Sequence, residues 1–260
     1  MLLVRVASAL IGIPLTLWIS YIGGSIFNIS VLVIILLGIH EYGNIVHQGG
    51  MNTCTWVMYP GAVLAVLSHL YPEYAGPLLF LILCAFLFSI IFSGFSPEET
   101  VYSFFGIFYI AWTLGHLISL RQNLPNGYYM IILLMLITWS TDTGAYFIGR
   151  LLGRHKLCPR ISPNKTVEGA VGGLIISIFA VWFFAQYISV LPLILLLILA
   201  VCASVIGQLG DLAESVWKRW AGIKDSGTLI PGHGGVLDRC DSLILTTPLV
   251  YYYLVAFIIQ

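Results

Sequence analysis

The chain has 260 residues, of which 59% are hydrophobic and only 8% are charged, and its formal net charge at pH 7 is zero. A soluble domain of ordinary composition carries about 25% charged residues, so the composition excludes such a domain and indicates a protein whose solvent is lipid. The zero net charge gives no electrostatic argument for nucleic acid as a partner. The five cysteines form no Cys-x-x-Cys pair, and we interpret them as apolar packing residues.

Nine apolar stretches approach or reach the length of about 20 residues that a membrane-spanning helix needs. They cover residues 3–22, 25–46, 54–71, 76–93, 101–120, 128–149, 168–188, 190–209 and 242–260. The first follows the pattern of a retained span, because no convincing cleavage site comes after it. The predicted fold class is therefore all-α, a polytopic integral membrane protein with about nine transmembrane helices.

The basic residues are distributed unevenly along the sequence. Of the eleven Lys and Arg residues, only Arg5 and Arg121 lie outside 150–239. We predict an N-terminal region of about five helices, 1–127, and a catalytic region, 128–260, with loops at 150–167 and 210–241. Because cytoplasmic loops are enriched in Lys and Arg, we expect both loops, and the active site with them, on the cytoplasmic side of the plasma (inner) membrane.

The sixth span contains an ionisable residue. The stretch "TWSTDTGAYFIGR" places Asp142 among apolar residues, which by default indicates a functional site; pairing with a basic residue of a neighbouring helix is the alternative. The following segment is rich in Lys and Arg, including Lys165, and these cations would either hold an anionic lipid headgroup or serve only as a topology signal. Gly169 and Gly173 are predicted to allow close helix packing.

The eighth span runs into "GQLGDLAESVWKRWAGIKDSG", residues 207–227. On a helix, Asp211, Ser215 and Lys218 would share one face. Asp211 follows the apolar run so closely that its carboxylate would be costly without a cation or a polar cavity. For Glu214 a simpler role is open, a solvated ion pair with Lys218.

A glycine-rich stretch, "GHGGVLDRCDS", precedes the last span. Successive glycines let backbone N–H groups approach an anion, although no P-loop is present because no Lys-Ser/Thr pair follows at the right spacing. Asp238 and Asp241 stand three residues apart at the start of the last helix, where they would cap it or, with Asp211, offer oxygen ligands suited to Mg²⁺. His233 would serve as an acid or base, as a phosphate donor, or only as a support for the loop. Carboxylates, cations and a glycine-rich loop together indicate phosphoryl or nucleotidyl transfer.

The stretch "SVWKRWAGIKDSGTLIPGHGGVLDRCDS", Ser215 to Ser242, resembles the signature of the CDP-diacylglycerol synthases, or phosphatidate cytidylyltransferases. The resemblance covers about 138–242 and implies transfer of CMP from CTP to phosphatidic acid, giving CDP-diacylglycerol and pyrophosphate for phospholipid synthesis. It further implies Mg²⁺, with a possible second cation, and a homodimer.

The resemblance also assigns roles to individual residues. The implied catalytic residues are Asp211, Asp238, Asp241, Lys218 and Lys224, of which the three aspartates would hold metal. The implied or expected substrate-binding residues are Ser215, Arg219, Asp225, Gly232, His233, Gly234, Gly235, Arg239, Asp142 and Lys165. The resemblance further implies that Lys218, Arg219 and Lys224 bind phosphates and that the Pro-Gly-His-Gly-Gly loop shapes the nucleotide pocket.

Three other readings stay open at this point. A CTP-dependent polyprenol or dolichol kinase would transfer the γ-phosphoryl group to an alcohol, which requires a base. A synthase acting on an ether lipid would differ only in the acceptor. A cation-coupled transporter would use the aspartates as an ion path, but such sites usually lie on broken helices of related repeats, and the sequence shows no repeat.

Overall fold

The computed structural model describes residues 2–92, 94–188, 191–230, 232 and 234–258, with the side chains of 2–9 outside that description. Its helices are α1 (Leu2–Ile22), α2 (Gly24–Gln48), α3 (Thr55–Leu70), α4 (Ala75–Phe92), α5 (Pro97–Gly106), α6 (Thr113–Gln122), α7 (Gly127–Leu152), α8 (Val167–Ala185), α9 (Leu193–Trp220) and α10 (Leu237–Ile258). A π-helical turn, Ile107–Trp112, makes α5 and α6 one continuous rod, and a short 3₁₀ turn, Pro72–Tyr74, precedes α4. Two short strands, β1 (Lys156–Cys158) and β2 (Ser162–Thr166), pair antiparallel. The prediction of an all-α membrane protein is confirmed.

Each of the nine predicted spans overlaps one helical rod, with ends that differ by a few residues. Positions 93, 189, 190, 259 and 260 of these spans lie outside the described residues. Among the described residues, seven helices are long and apolar enough to cross a membrane. Two further helical stretches are apolar but shorter: residues Leu10–Ile22 of α1, and α3. The hydropathy of the sequence therefore predicts where the helices lie.

The predicted loop 210–241 is shorter in the structure, because α9 continues to Trp220 and α10 begins at Leu237. Nothing in residues 211–220 interrupts a helix, since this stretch contains neither Gly nor Pro. The helix ends where Gly222 adopts a left-handed φ of 72°. The Ile223 N–H donates to the Lys218 carbonyl and the Gly222 N–H to the Arg219 carbonyl, the pair of hydrogen bonds that closes a helix in a Schellman motif. The irregular segment is therefore 221–236.

The chain divides into two compact units that differ from the predicted regions. The first unit comprises Met1–Asn123 together with Trp217–Cys240, and the second comprises Leu124–Val216 together with Asp241–Gln260. The sequence interpretation placed everything after residue 127 in one catalytic region. In the structure, the end of α9, the irregular segment and the first turn of α10 instead pack with the N-terminal helices.

Helix α2 runs through the core of the first unit. Its buried side chains recur at helical spacing: Phe27, Val31, Ile35, Ile39, Tyr42 and Val46. This apolar face is the reason that α2 packs inside its unit. The same face carries one charged side chain, Glu41, into the interior.

In the second unit, α7 and α8 are packed with their backbones close together. A Cβ atom on Gly173 would lie 2.6 Å from the Thr141 carbonyl oxygen, and one on Gly169 would lie 2.8 Å from the Ala145 carbonyl oxygen. Both distances are too short for a real side chain, so the predicted packing role of these glycines is confirmed. The β-hairpin leads into α8, whose first turn is capped by Thr166 as its hydroxyl accepts from the Gly169 N–H at 3.1 Å.

Candidate active site

Asp238, a predicted metal ligand, is a buried acceptor in the first turn of α10. Its Oδ1 accepts from Lys218 Nζ at 2.6 Å. Its Oδ2 accepts from the backbone N–H of Ser226 at 2.9 Å and of Gly235 at 2.8 Å, and lies 3.0 Å from Ser226 Oγ. The carboxylate is thus engaged by one cation, two amides and a hydroxyl.

Lys218, a predicted catalytic residue, is the cation of this pair and is as buried as its partner, with each residue 8% exposed. It belongs to the last turn of α9, where the carbonyl ends of the helix favour a positive charge. A buried pair of this kind depends on both members, because removing one leaves an uncompensated charge in the interior. Arg219, the next residue, is exposed, and its Nη1 donates to the Ile223 carbonyl at 2.7 Å.

An aromatic cluster fixes this end of α9 within the first unit. The Trp217 ring centroid lies 5.6 Å from that of Tyr42 and 5.4 Å from that of Phe105. Tyr102 stacks against Trp220 with 5.6 Å between the ring centroids. Aromatic pairs at such distances contribute both buried area and a preferred geometry. The two tryptophans flank Lys218 and Arg219 in sequence, so the cluster holds the helix turn that carries both cations.

The glycine-rich segment forms a tight turn closed by the Ile230 N–H, which donates to the Gly234 carbonyl at 2.9 Å. Gly232 and Gly234 have φ values of 76° and 83°, a region that glycine enters without steric cost. A Cβ atom on Gly234 would also collide with Asp238 Oδ2. Pro231 and the predicted His233 lie outside the described residues, so the roles considered for His233 stay predictions.

The sequence interpretation missed Glu41 of α2. This side chain is 6% exposed and accepts three hydrogen bonds: from Ser226 Oγ at 2.9 Å, from the Val236 N–H at 2.9 Å and from the Leu237 N–H at 2.8 Å. The signal was present, because Glu41 is an acid inside an apolar span, the feature that singled out Asp142. Sequence alone could not supply its partners, which lie more than 180 residues away along the chain.

In the second unit, Lys165 of β2 and Asp211 of α9 form an ion pair with 2.5 Å between Nζ and Oδ2. The sequence interpretation gave these two residues separate roles, substrate binding and metal binding, and the structure brings them together. Both side chains are partly exposed, so the pair contributes little to stability. It does place a cation beside one of the predicted metal ligands.

Three acidic side chains of the second unit lie within electrostatic range of Asp241. Asp211, Glu214 and Asp142 are all close enough to Asp241 to act on its charge. Close packing of α9 on α10 explains part of this, because a Cβ atom on Gly210 would lie 2.7 Å from the Asp241 carbonyl oxygen. Helix α7 is linked to α9 where Thr141 Oγ1 donates to Ser204 Oγ at 3.0 Å. The sequence interpretation named three of these acids and left a solvated ion pair with Lys218 open for Glu214, but Glu214 is fully buried.

The remaining predicted site residues differ in exposure. Those on the surface of the structure are Lys224, Asp225, Gly232, Arg239 and Asp142. Ser215 is buried on α9, and Gly235 is buried beside Asp238.

The three predicted metal ligands, Asp211, Asp238 and Asp241, differ in how well their carboxylates could bind a metal ion. Among residues 2–92, 94–188, 191–230, 232 and 234–258, no three His, Cys, Asp or Glu side chains stand together in an arrangement that would hold a metal ion. Asp211 and Asp241 offer the hard oxygen ligands that Mg²⁺ prefers, and Mg²⁺ usually takes one or two carboxylates. Of these carboxylates, Asp211 Oδ2 is paired with Lys165 and Asp241 Oδ1 accepts from the Ser242 N–H at 2.7 Å. The oxygens of Asp238 are already occupied by Lys218 and backbone amides.

Comparison with known proteins covers the whole chain. The sequence model of the Cytidylyltransferase family matches residues 3–257. The phosphatidate cytidylyltransferase of Staphylococcus haemolyticus is 35% identical over 97% of this chain and 98% of its own length, and that of Staphylococcus saprophyticus is 36% identical with the same coverage. The Bacillus subtilis enzyme of that name is 43% identical over 63% of this chain and 61% of its own. The likeness thus extends well beyond residues 138–242 into the N-terminal helices, and the chain belongs to the cytidylyltransferase family.

Proposed function

We propose that this chain is a phosphatidate cytidylyltransferase that transfers CMP from CTP to phosphatidic acid and releases pyrophosphate. The observation that carries the proposal is the match to relatives of that name over nearly the whole length of both chains. The buried Lys218–Asp238 ion pair supports the proposal, because both residues belong to the stretch Ser215 to Ser242 that resembles the family signature.

In the proposed reaction, an oxygen of the lipid phosphate attacks the α-phosphorus of CTP. A new P–O bond forms, the bond between the α-phosphorus and the bridging oxygen breaks, and pyrophosphate leaves. The lipid phosphate is already ionised at neutral pH, so no strong general base is required. The main task of the protein is to offset repulsion between two anionic reactants. Lys218, Arg219 and Lys224 are the side chains that we assign to the phosphates, with Lys165 as a further candidate.

We propose Mg²⁺ as the cofactor, held by Asp211 and Asp241 in the second unit. Asp142 and Glu214 are near enough to Asp241 to favour a cation there, and a second cation is compatible with four acids. When bound, the divalent ion would neutralise phosphate oxygens and stabilise the pyrophosphate leaving group. The family resemblance assigns Asp238 to the ligand set as well; that part of the assignment requires the ion pair with Lys218 to open.

We further propose that the enzyme acts on the cytoplasmic side of the plasma membrane. The seven long apolar helices and the basic segments at 150–165 and 218–239 support this orientation. A lipid substrate then need not leave the bilayer, and the nucleotide comes from the cytoplasm. The homodimer stays a prediction, which light scattering of the purified protein in detergent would test.

The decisive experiment supplies purified protein in detergent with CTP labelled in the cytidine, phosphatidic acid and Mg²⁺. Label should enter the lipid phase together with stoichiometric release of pyrophosphate. Folded protein that transfers no cytidine label would contradict the proposal. Transfer of label from γ-labelled CTP to a polyprenol would instead establish the lipid-kinase alternative.

A further inference from the structure

Glu41 has no place in the signature that identifies the family, yet it lies against the segment that carries that signature. Its two carboxylate oxygens accept from three donors at 2.8–2.9 Å, all of them in residues 226–237. The side chain is 6% exposed. An acid this deeply buried is stable only because these donors replace its hydration.

Two of the donors belong to the beginning of α10. The N–H groups of Val236 and Leu237 have no acceptor within their own helix, as is usual for the first turn. Glu41 supplies that acceptor from α2, and its negative charge is favourable at the positive end of the helix. The direction in which α10 starts, and with it the position of Asp238 in the first turn, is thus set by a residue from another helix.

The third donor links Glu41 to the ion pair. Ser226 Oγ lies 2.9 Å from Glu41 Oε2 and 3.0 Å from Asp238 Oδ2. The single hydroxyl hydrogen therefore lies between two carboxylates, and the Ser226 N–H also donates to Asp238. A continuous set of contacts runs from Glu41 through Ser226 and Asp238 to Lys218.

The backbone of the segment is built closely around this carboxylate. A Cβ atom on Gly227 would lie 2.6 Å from Glu41 Oε1, and a Cβ atom on Gly235 would collide with Oε2. Two glycines thus allow the chain to approach Glu41 from two sides. The carboxylate thus contacts residues 226–227 on one side and residues 235–237 on the other.

We propose that Glu41 is a positioning residue for cytidylyl transfer, one that holds the Lys218–Asp238 pair in place through Ser226 and the first turn of α10. The proposal rests on the function proposed above for its kinetic test but not for its structural one. Glu41→Gln keeps the shape of the side chain but turns an NH₂ group toward backbone N–H donors, so residues 226–237 must shift. Misplacement of a site by about 1 Å can cost about 100-fold in rate, so we expect kcat to fall about 10- to 100-fold.

Glu99 offers a matched control in the same unit. It is also a glutamate at the start of a helix. Its carboxylate accepts from the Ser96 N–H at 2.9 Å and from the Asn52 N–H and side-chain amide at 3.1 and 3.0 Å. Glu99→Gln should lower the melting temperature and leave kcat unchanged. Glu41→Asp, which keeps the charge, should recover part of the activity that Glu41→Gln loses.

Two measurements together decide the question. Hydrogen exchange should become faster at residues 226–237 in Glu41→Gln and stay as in wild type there in Glu99→Gln, and this readout needs no substrate. Kinetics on the folded fraction should show a kcat loss that exceeds any rise in KM. Ser226→Ala, which removes only the bridging hydroxyl, should reduce kcat in the same sense and serves if Glu41→Gln does not fold.

The proposal fails if exchange and kcat per folded molecule stay at wild-type values, or if Glu41→Gln behaves like Glu99→Gln and only stability falls. An inactive wild-type protein would instead refute the proposed function. In that case faster exchange in Glu41→Gln would still support the positioning role.

Discussion

The Lys218–Asp238 ion pair gives the sharpest test of the structure. Each residue is 8% exposed and the charged atoms are 2.6 Å apart, so solvent screens the pair weakly. Removing one partner of a buried pair costs about 3–5 kcal/mol, because the other charge is left uncompensated. We therefore expect Lys218→Met and Asp238→Asn each to lower the free energy of unfolding by about this amount. The double variant should lose less than the sum.

A double-mutant cycle measures the interaction directly. Wild type, both single variants and the double variant are unfolded in detergent, and the coupling energy is the departure from additivity. Residues in contact typically show coupling energies of about 0.5–3 kcal/mol, and we expect a value in the upper part of that range. Additivity within about 0.3 kcal/mol would refute the ion pair. The single variant Asp238→Asn also separates two roles, because an Asp238 that served only as a metal ligand would be replaceable without loss of stability.

Further predictions concern the other site residues. Asp211→Asn and Asp241→Asn, or removal of divalent ions with EDTA, should abolish cytidylyl transfer while the protein stays folded; normal activity would remove the metal assignment. Lys224→Ala should raise the KM for a phosphate-bearing substrate, and unchanged kinetics would exclude this exposed lysine from the site. Gly234→Ala should cost about 1–3 kcal/mol, because φ is 83° and the new Cβ would meet Asp238; a wild-type unfolding curve would contradict the turn geometry. Asp142→Asn should lower activity, and a loss of thermal stability alone would favour the helix-pairing alternative.

The positions of the helices were predictable because each membrane span requires a local run of apolar residues. The nine apolar stretches became helices, since a chain in lipid has to satisfy its backbone internally. The extent of α9 was not predictable from hydropathy, because polar residues such as Asp211 and Lys218 continue a helix as well as apolar ones do. The signal for its end was Gly222, a residue typical of helix termini, which lies inside a segment already interpreted as a loop.

The pairings of the predicted site residues could not be derived from the sequence, and their roles in the reaction stay predictions. Short-range spacing predicted that Asp238 and Asp241 share one face, but in the structure Asp238 pairs with Lys218 whereas Asp241 has acidic neighbours. Pairing depends on contacts far apart in sequence, so Lys165 with Asp211 and Glu41 with Ser226 could not be read from spacing. In each case the unpaired charge in or near an apolar span was the available signal, and only the partner was missing.

The two units differ in how far their buried negative charges are compensated by the protein itself. In the first unit, the protein itself provides hydrogen-bond donors to both buried carboxylates. Glu41 accepts from two backbone amides and a hydroxyl, and Asp238 accepts from an amine and two backbone amides. In the second unit, the charges of Asp211, Glu214 and Asp142 act on Asp241, and Lys165 lies beside Asp211. Like charges near Asp241 make its ionised form costly, so an added cation lowers the energy of the second unit more than that of the first. Divalent ions should therefore stabilise the protein against unfolding through Asp241, and the stabilisation should persist in Lys218→Met.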